Sequence, residues 1–247
     1  MLDSLGQVLP HATRAFGDQT ALVIEGRSFS FRELDDLSDA LAASLARMGI
    51  KPGDRVTLYA PNSWEWIVSY YGALKTGAVI NPINVMLTPA EVAFVTRDCG
   101  ASALIGSPDK IKPALESGVT GLTAIVFGDQ SVEGAMLFNE LIAKRQTFEP
   151  VAVKPEALST IGYTSGTTGH PKGAMQSHRA VILNAAMTAQ LHLKTPRHSR
   201  DCGALSACLW QCHIQRRDDV RHKARASSAL RRGRDPRKHR GPQGDDV

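Results

Sequence analysis

The feature that most limits how this chain can fold is a regular alternation of short β-prone runs with capped, amphipathic helical segments. Residues 20–24 and 29–30 flank Glu25-Gly26 and read as two short strands about a turn. Ser30-Phe31-Arg32-Glu33 has the form of a capping box, and Leu34, Leu37, Leu41 and Leu45 recur at helical spacing up to Gly49. Lys51-Pro52-Gly53-Asp54 then turns the chain into a strand at 55–60, and Pro61-Asn62-Ser63 opens a helix at 64–75. A strand at 77–82 follows, with a second capping box, Thr88-Pro89-Ala90-Glu91, starting a helix that ends near Gly100. A strand at 101–105, a helix about 111–116, a strand at 123–127 and a helix about 135–144 continue the pattern. Repetition at this spacing predicts a parallel sheet covered by helices on both faces, an α/β fold.

Two further elements frame the most distinctive stretch. Ser159-Thr160-Ile161-Gly162 is β-prone, and residues 176–193 carry apolar side chains at helical spacing. Between them runs Tyr163-Thr164-Ser165-Gly166-Thr167-Thr168-Gly169-His170-Pro171-Lys172-Gly173, with three glycines, four aliphatic hydroxyls and one lysine. Glycines let a backbone approach an anion closely while hydroxyl and N–H donors converge on it, so the loop reads as a phosphate holder. A helix directly after such a turn would aim its first N–H groups at the phosphate. It is not a Walker A loop, because Pro171 stands where the second glycine of G-x-x-x-x-G-K belongs. The plain alternative is a hydroxyl-rich surface turn, but such turns seldom run this long with a lysine and no acidic residue.

The run Ser165-Gly166-Thr167-Thr168-Gly169-His170-Pro171-Lys172-Gly173 resembles the phosphate-binding signature of the AMP-forming acyl-adenylate enzymes. These include acyl-CoA synthetases, aryl-CoA ligases, firefly luciferase and non-ribosomal peptide adenylation domains. Eight fixed positions would arise by chance on the order of once in a hundred million chains of this size. Phe29-Ser30-Phe31-Arg32-Glu33-Leu34 is similar to the family's opening helix, and the segment from Leu74-Lys75-Thr76-Gly77 to Asn81-Pro82-Ile83-Asn84 to its second core motif. The likeness covers about residues 10–196, so 1–196 is expected to be a partial AMP-binding domain.

The resemblance implies ATP-dependent activation of a carboxylic acid, a fatty acid in the first instance, to an acyl-adenylate and then to acyl-CoA. ATP, Mg²⁺ and CoA would be the cofactor and co-substrates. By the same resemblance, backbone N–H groups and hydroxyls of Thr164, Ser165, Gly166, Thr167 and Thr168 would embrace the β- and γ-phosphates. Gly169 would let the backbone turn, Lys172 would supply a point charge, and Mg²⁺ would bridge the phosphates. The signature is shared with enzymes that load other thiols, so CoA rests on overall likeness, and the acid itself is not specified.

Charge divides the chain. Residues 197–247 carry 13 Lys and Arg against 6 Asp, or +7, while the first 196 carry 16 basic and 18 acidic residues, or −2. That tail holds four His and three Cys, no Glu, Phe or Tyr, and no apolar periodicity, so it is expected to be an irregular basic segment. The histidine, adenine, ribose and lysine landmarks that a complete family member carries next do not follow Pro196. Among Cys202, Cys208, Cys212 and His213 only the C-x₃-C spacing fits a zinc site, and Trp210 is the lone aromatic for base stacking. Neither metal nor nucleic acid is expected.

The favoured reading of the tail is translation out of frame. Trp210-Gln211-Cys212 is encoded by TGG-CAR-TGY, which one base later reads GGC-ART and so gives glycine followed by Asn or Ser. The shifted frame can spell Pro-Ala-Tyr-Gly-Asn-Val, close to the missing segment, with the frame change near residues 197–201. The product is then expected to be a truncated, inactive N-terminal part of a ligase, with a non-catalytic phosphate-binding fragment as the alternative. A sheet interrupted after the loop would leave open edges and apolar helix faces.

The four cysteines form no disulfide framework, and no N-terminal apolar run has signal-peptide or membrane-spanning length, so a cytoplasmic protein is expected. Other residues with latent chemistry read as structural: His170 solvated, His178 capping or packing, Cys99 inert, and Trp64, Trp66, Tyr70 and Tyr71 in the core.

Overall fold

The computed structural model describes residues 2–24, 26–164 and 171–192, all within one unit of the chain, Met1–Cys208. The chain enters through a short turn of 3₁₀ helix, Leu5–Gln7, and a helix α1, Val8–Phe16, which the sequence did not announce. Its N-cap, Gln7, makes no side-chain cap, and Pro10 reads as a breaker. Yet Pro10 lies in the first turn, where its missing N–H has no intrahelical partner to lose. Burial of Val8, Leu9 and Ala12 holds the helix in place.

Strands β1 (Thr20–Ile24) and β2 (Arg27–Ser30) form an antiparallel hairpin of their own. Helix α2 (Phe31–Arg47) starts at the expected cap, with Glu33 N–H donating to Ser30 Oγ at 3.0 Å. Only half of the box forms, because the Glu33 carboxylate turns instead to the Arg27 guanidinium at 3.0 Å. In α4 (Pro89–Asp98) both halves of the box close, between Thr88 and Glu91.

The main sheet contains β3 (Arg55–Tyr59), β4 (Val79–Pro82), β5 (Ala101–Gly106), β6 (Thr123–Val126), β7 (Ala135–Leu137), β8 (Leu158–Thr164) and β9 (Lys172–Ser177). Their order across the sheet is β7-β6-β5-β3-β4-β8-β9. Every pairing is parallel except β8 with β9. The fold is therefore α/β, with a mostly parallel sheet flanked by helices.

Helices α3 (Trp64–Lys75), α5 (Pro108–Glu116), α6 (Phe138–Ala143) and α7 (His178–His192) complete the described elements. Helix α2 packs against α1, α3 and α6, while α4 and α5 pack on each other and on β5. Successive residues of a strand face opposite sides. Tyr59, Leu104, Ala124 and Val126 join the core under α4 and α5, and their neighbours Leu58, Ile105 and Ile125 are equally buried. Both faces are thus covered in the middle of the sheet. Phe29, Trp64, Phe138 and Phe127 form a chain of ring contacts with centroids 5.2–5.8 Å apart; Tyr70 and Tyr71 are in the core as expected, whereas Trp64 and Trp66 are only half-buried at its margin.

Two elements correct the expectations. Residues 135–137 are the edge strand β7, and the helix begins only at Phe138, because backbone pairing with β6 outweighs local helix preference. Residues 172–177 form β9, so the helix expected from 176 starts at His178. The arrangement is strand, loop, strand and then helix.

Candidate functional site

Because β3, β4, β5 and β8 run parallel, their carboxyl ends share one edge of the sheet. Strands β4 and β5 lie on opposite sides of β3, and ligands of open α/β sheets bind at the carboxyl ends beside such a reversal. Strand β8, next to β4, ends there at Thr164. The glycine- and threonine-rich loop leaves from that point and returns at Lys172, whose register partner is Thr164.

Thr164 and Lys172 thus close the open end of the β8–β9 hairpin, and both are exposed. Directly opposed residues of an antiparallel pair point to the same face, so hydroxyl and ammonium are presented together at the loop's two stems. Ser165, Gly166, Thr167, Thr168, Gly169 and His170 lie outside the described residues, as do the tail residues Cys202, Cys208, Cys212 and His213. The stem offers a neutral hydroxyl and a cation, a donor set that suits an anion; a magnesium ion would be carried chiefly by the anion's own oxygens.

One part of the sequence reading is overturned here. Helix α7 does not follow the loop: its first N–H groups, of His178 and Arg179, donate to Ala157 O at 3.1 Å and Pro155 O at 2.8 Å. Those carbonyls precede the amino end of β8, the opposite end from the loop. The positive end of that helix dipole therefore lies at the opposite end of β8 from the loop.

The stems are braced from below. Tyr163 and Gly173 are opposed in the ladder, and a side chain at Gly173 would bring its first carbon to 3.2 Å from the Tyr163 ring and 2.9 Å from Ile161. The glycine is thus the seat on which the ring lies. The Tyr163 hydroxyl donates to the Asp98 carboxylate at the last residue of α4. Burial, followed by that hydrogen bond, pushes the phenol well above its ordinary pKa, so it remains a donor.

Sequence reasoning missed this contact, since Tyr163 and Asp98 are 65 positions apart and neither element signals the other. It also assigned no role to Lys75, which is fully buried and donates to the carboxylates of both Asp35 and Asp39 on α2. Burial raises the Asp39 carboxyl even though Lys75 hydrogen-bonds to it. The i, i+4 spacing of the two aspartates was the available signal, because it sets both on one helix face. His178 is a packing residue, as expected. Its Nδ1 accepts the Leu5 N–H at 3.1 Å, and burial lowers its pKa to about 4. The half-buried Cys99 thiol is raised by burial, which disfavours the reactive thiolate.

Comparison with known proteins bears on this geometry directly. Residues 9–210 match the family described as AMP-binding enzyme. The chain belongs to that family. A mitochondrial medium-chain acyl-CoA ligase of Bos taurus is 29% identical over 231 residues, covering 80% of this chain and 37% of that protein. A long-chain-fatty-acid–CoA ligase of Salmonella typhimurium is 31% identical over 211 residues, covering 73% of this chain and 38% of its own length. The crystal structure of an anthranilate CoA ligase in complex with anthranoyl-AMP superposes with a TM-score of 0.69 at 30% identity, over 76% of this chain and 36% of that one. The chain spans little more than a third of the length of these AMP-binding relatives. Among the described residues no helix is long and apolar enough to cross a membrane.

Proposed function

We propose that this chain carries the phosphate-gripping part of an ATP-dependent carboxylic acid:CoA ligase, with a fatty acid as the class of acid. The observation that carries this reading is the hairpin whose closing pair, Thr164 and Lys172, stands at the carboxyl edge of a parallel sheet beside its reversal of strand order.

The chemistry explains why such a grip matters. A carboxylate cannot expel oxide when a thiol attacks it, so the acid must first acquire a better leaving group. Its oxygen attacks the α-phosphorus of ATP, the bond from that phosphorus to the bridging oxygen breaks, and pyrophosphate departs, leaving the acyl-adenylate. Thiol attack at the acyl carbon then expels AMP. Charge collects on the departing β- and γ-phosphates, and fixed donors at that point lower the barrier.

In this reading Lys172 meets that charge directly, Thr164 donates its hydroxyl, and Ser165, Gly166, Thr167 and Thr168 supply N–H and hydroxyl donors. Gly169 gives the backbone room to turn. Mg²⁺ accompanies ATP and, when bound, spreads the same charge over a metal. CoA is the acceptor thiol by analogy with the named relatives. A reducing, cytoplasmic setting suits a chain that offers Cys99 as a free thiol.

To the residues described here we assign binding of the nucleotide's phosphates. The second reading, a complete adenylating enzyme, differs in one measurement. Acid-dependent exchange of labelled pyrophosphate into ATP would establish turnover, whereas MgATP binding without exchange supports the assignment made here. Failure to bind MgATP at millimolar concentration would refute both.

A further inference from the structure

Three features of the structure stand apart from the loop itself. The acidic cavity near Asp35, Asp39 and Glu149 contains no buried, unpartnered polar group directed into it, and the exposed edge of β9 has nothing that names its occupant. The contact between Tyr163 and Asp98 carries an argument further.

Tyr163 immediately precedes Thr164, the first stem residue of the loop, and lies opposite Gly173, which immediately follows Lys172, the second. One ring therefore touches the backbone beside both stems, and its hydroxyl reaches out of the sheet to the end of α4. The body of the ring packs, partly buried, against the hydrophobic cluster under α4 and α5. A six-residue edge strand with five exposed residues has few other restraints: β9 is paired on one side to β8 and packs on α7. The position of Lys172 thus depends on how firmly the Tyr163–Gly173 rung is held.

We propose that Tyr163 is a positioning residue for the phosphate loop, clamping both stems to α4 through its bond to Asp98 and its seat on Gly173. This rests on the reading of the loop as the nucleotide's grip. Tyr163 touches no phosphate in this scheme; it acts through Thr164 and Lys172. Losing the hydroxyl keeps the ring and the core but frees the hairpin to swing, so the two donors spend less time together at the anion.

The test uses the full 247-residue chain with Tyr163→Phe, Asp98→Asn and the double variant. The probe is magnesium tripolyphosphate, titrated calorimetrically at a temperature where all four proteins are folded. Each single change is expected to weaken binding about threefold to tenfold, the range of one hydrogen bond, and the double change to weaken it no further. Gly173→Ala, which lifts the ring from its seat, should weaken it comparably. Unchanged affinity with only a lower melting midpoint would overturn the proposal, as would additive losses.

Hydrogen exchange separates this proposal from the reading it rests on. If the unmodified chain binds no tripolyphosphate, the nucleotide reading fails. The clamp is then judged by the β8–β9 ladder amides, which must exchange faster in Tyr163→Phe; equal exchange rates sink it.

Discussion

The middle of the sheet and its β8–β9 margin are built to opposite specifications. Around β3, β4 and β5 both faces are covered, an aromatic chain links β2, α3, α6 and the end of β6, and even a lysine is taken fully inside. At the margin β9 shows five exposed residues in succession, Met175 is 73% exposed, and α7 presents Leu183 at 41% and Met187 at 62%. The interior is fixed chiefly by non-directional burial. The margin is fixed by a ladder of backbone bonds and a few placed side chains, which leaves Thr164 and Lys172 exposed. If the margin binds as proposed, stability and binding are separable, and substitutions in the two regions should have different consequences.

The largest effect is expected in the interior. Replacing Lys75 with methionine leaves Asp35 and Asp39 facing each other on α2 without their shared cation, and should cost about 3–5 kcal/mol of stability in urea unfolding. Phosphate binding by the fraction still folded should be unaffected. A loss of affinity without a loss of stability would show that the two regions are coupled.

Acid should act next, at the junction of the regions. His178 is held neutral with a pKa of about 4, against an ordinary value near 6.5. A depressed histidine contributes stability in full above its unfolded pKa, and the contribution falls as pH drops from about 6.5 towards 4, where the unfolded chain binds the extra proton. Between pH 7 and pH 5 the loss should be about 2 kcal/mol, and His178→Gln should flatten that slope. A slope unchanged by the substitution would place its origin elsewhere.

The smallest effect belongs to the open edge. Met175→Lys on β9 should alter stability by less than about 0.5 kcal/mol, since the side chain is largely in water, while reducing self-association measured by light scattering. A large destabilisation would mean that this margin is packed more tightly than its exposure indicates.

What could be read from the sequence follows the same division. Caps and periodic leucines are local signals, so α2, α3 and α4 were legible with their starts, as was the alternation that implies a mostly parallel sheet. Helix α1 was not, because its stability comes from burial against partners distant in sequence, while Gln7 and Pro10 signal nothing. Strand β9 was not, because Lys-Gly-Ala-Met-Gln-Ser lacks an alternating pattern and exists as a strand only through pairing with β8. The loop was legible as a family signature, and it lies within the residues 9–210 that match the AMP-binding family. Its setting was not: the intervening strand removes α7 from the loop, and the Tyr163–Asp98 contact joins segments with no sequence relation.

We propose that the β8–β9 hairpin grips the phosphates of ATP through Lys172. It is tested most directly by titrating MgATP into the unmodified chain and into Lys172→Ala, with the melting midpoint of each recorded. An exposed lysine contributes little to folding, so the midpoints should agree, while loss of a charged partner should weaken binding by about tenfold or more. Equal affinity in the two proteins would contradict the account.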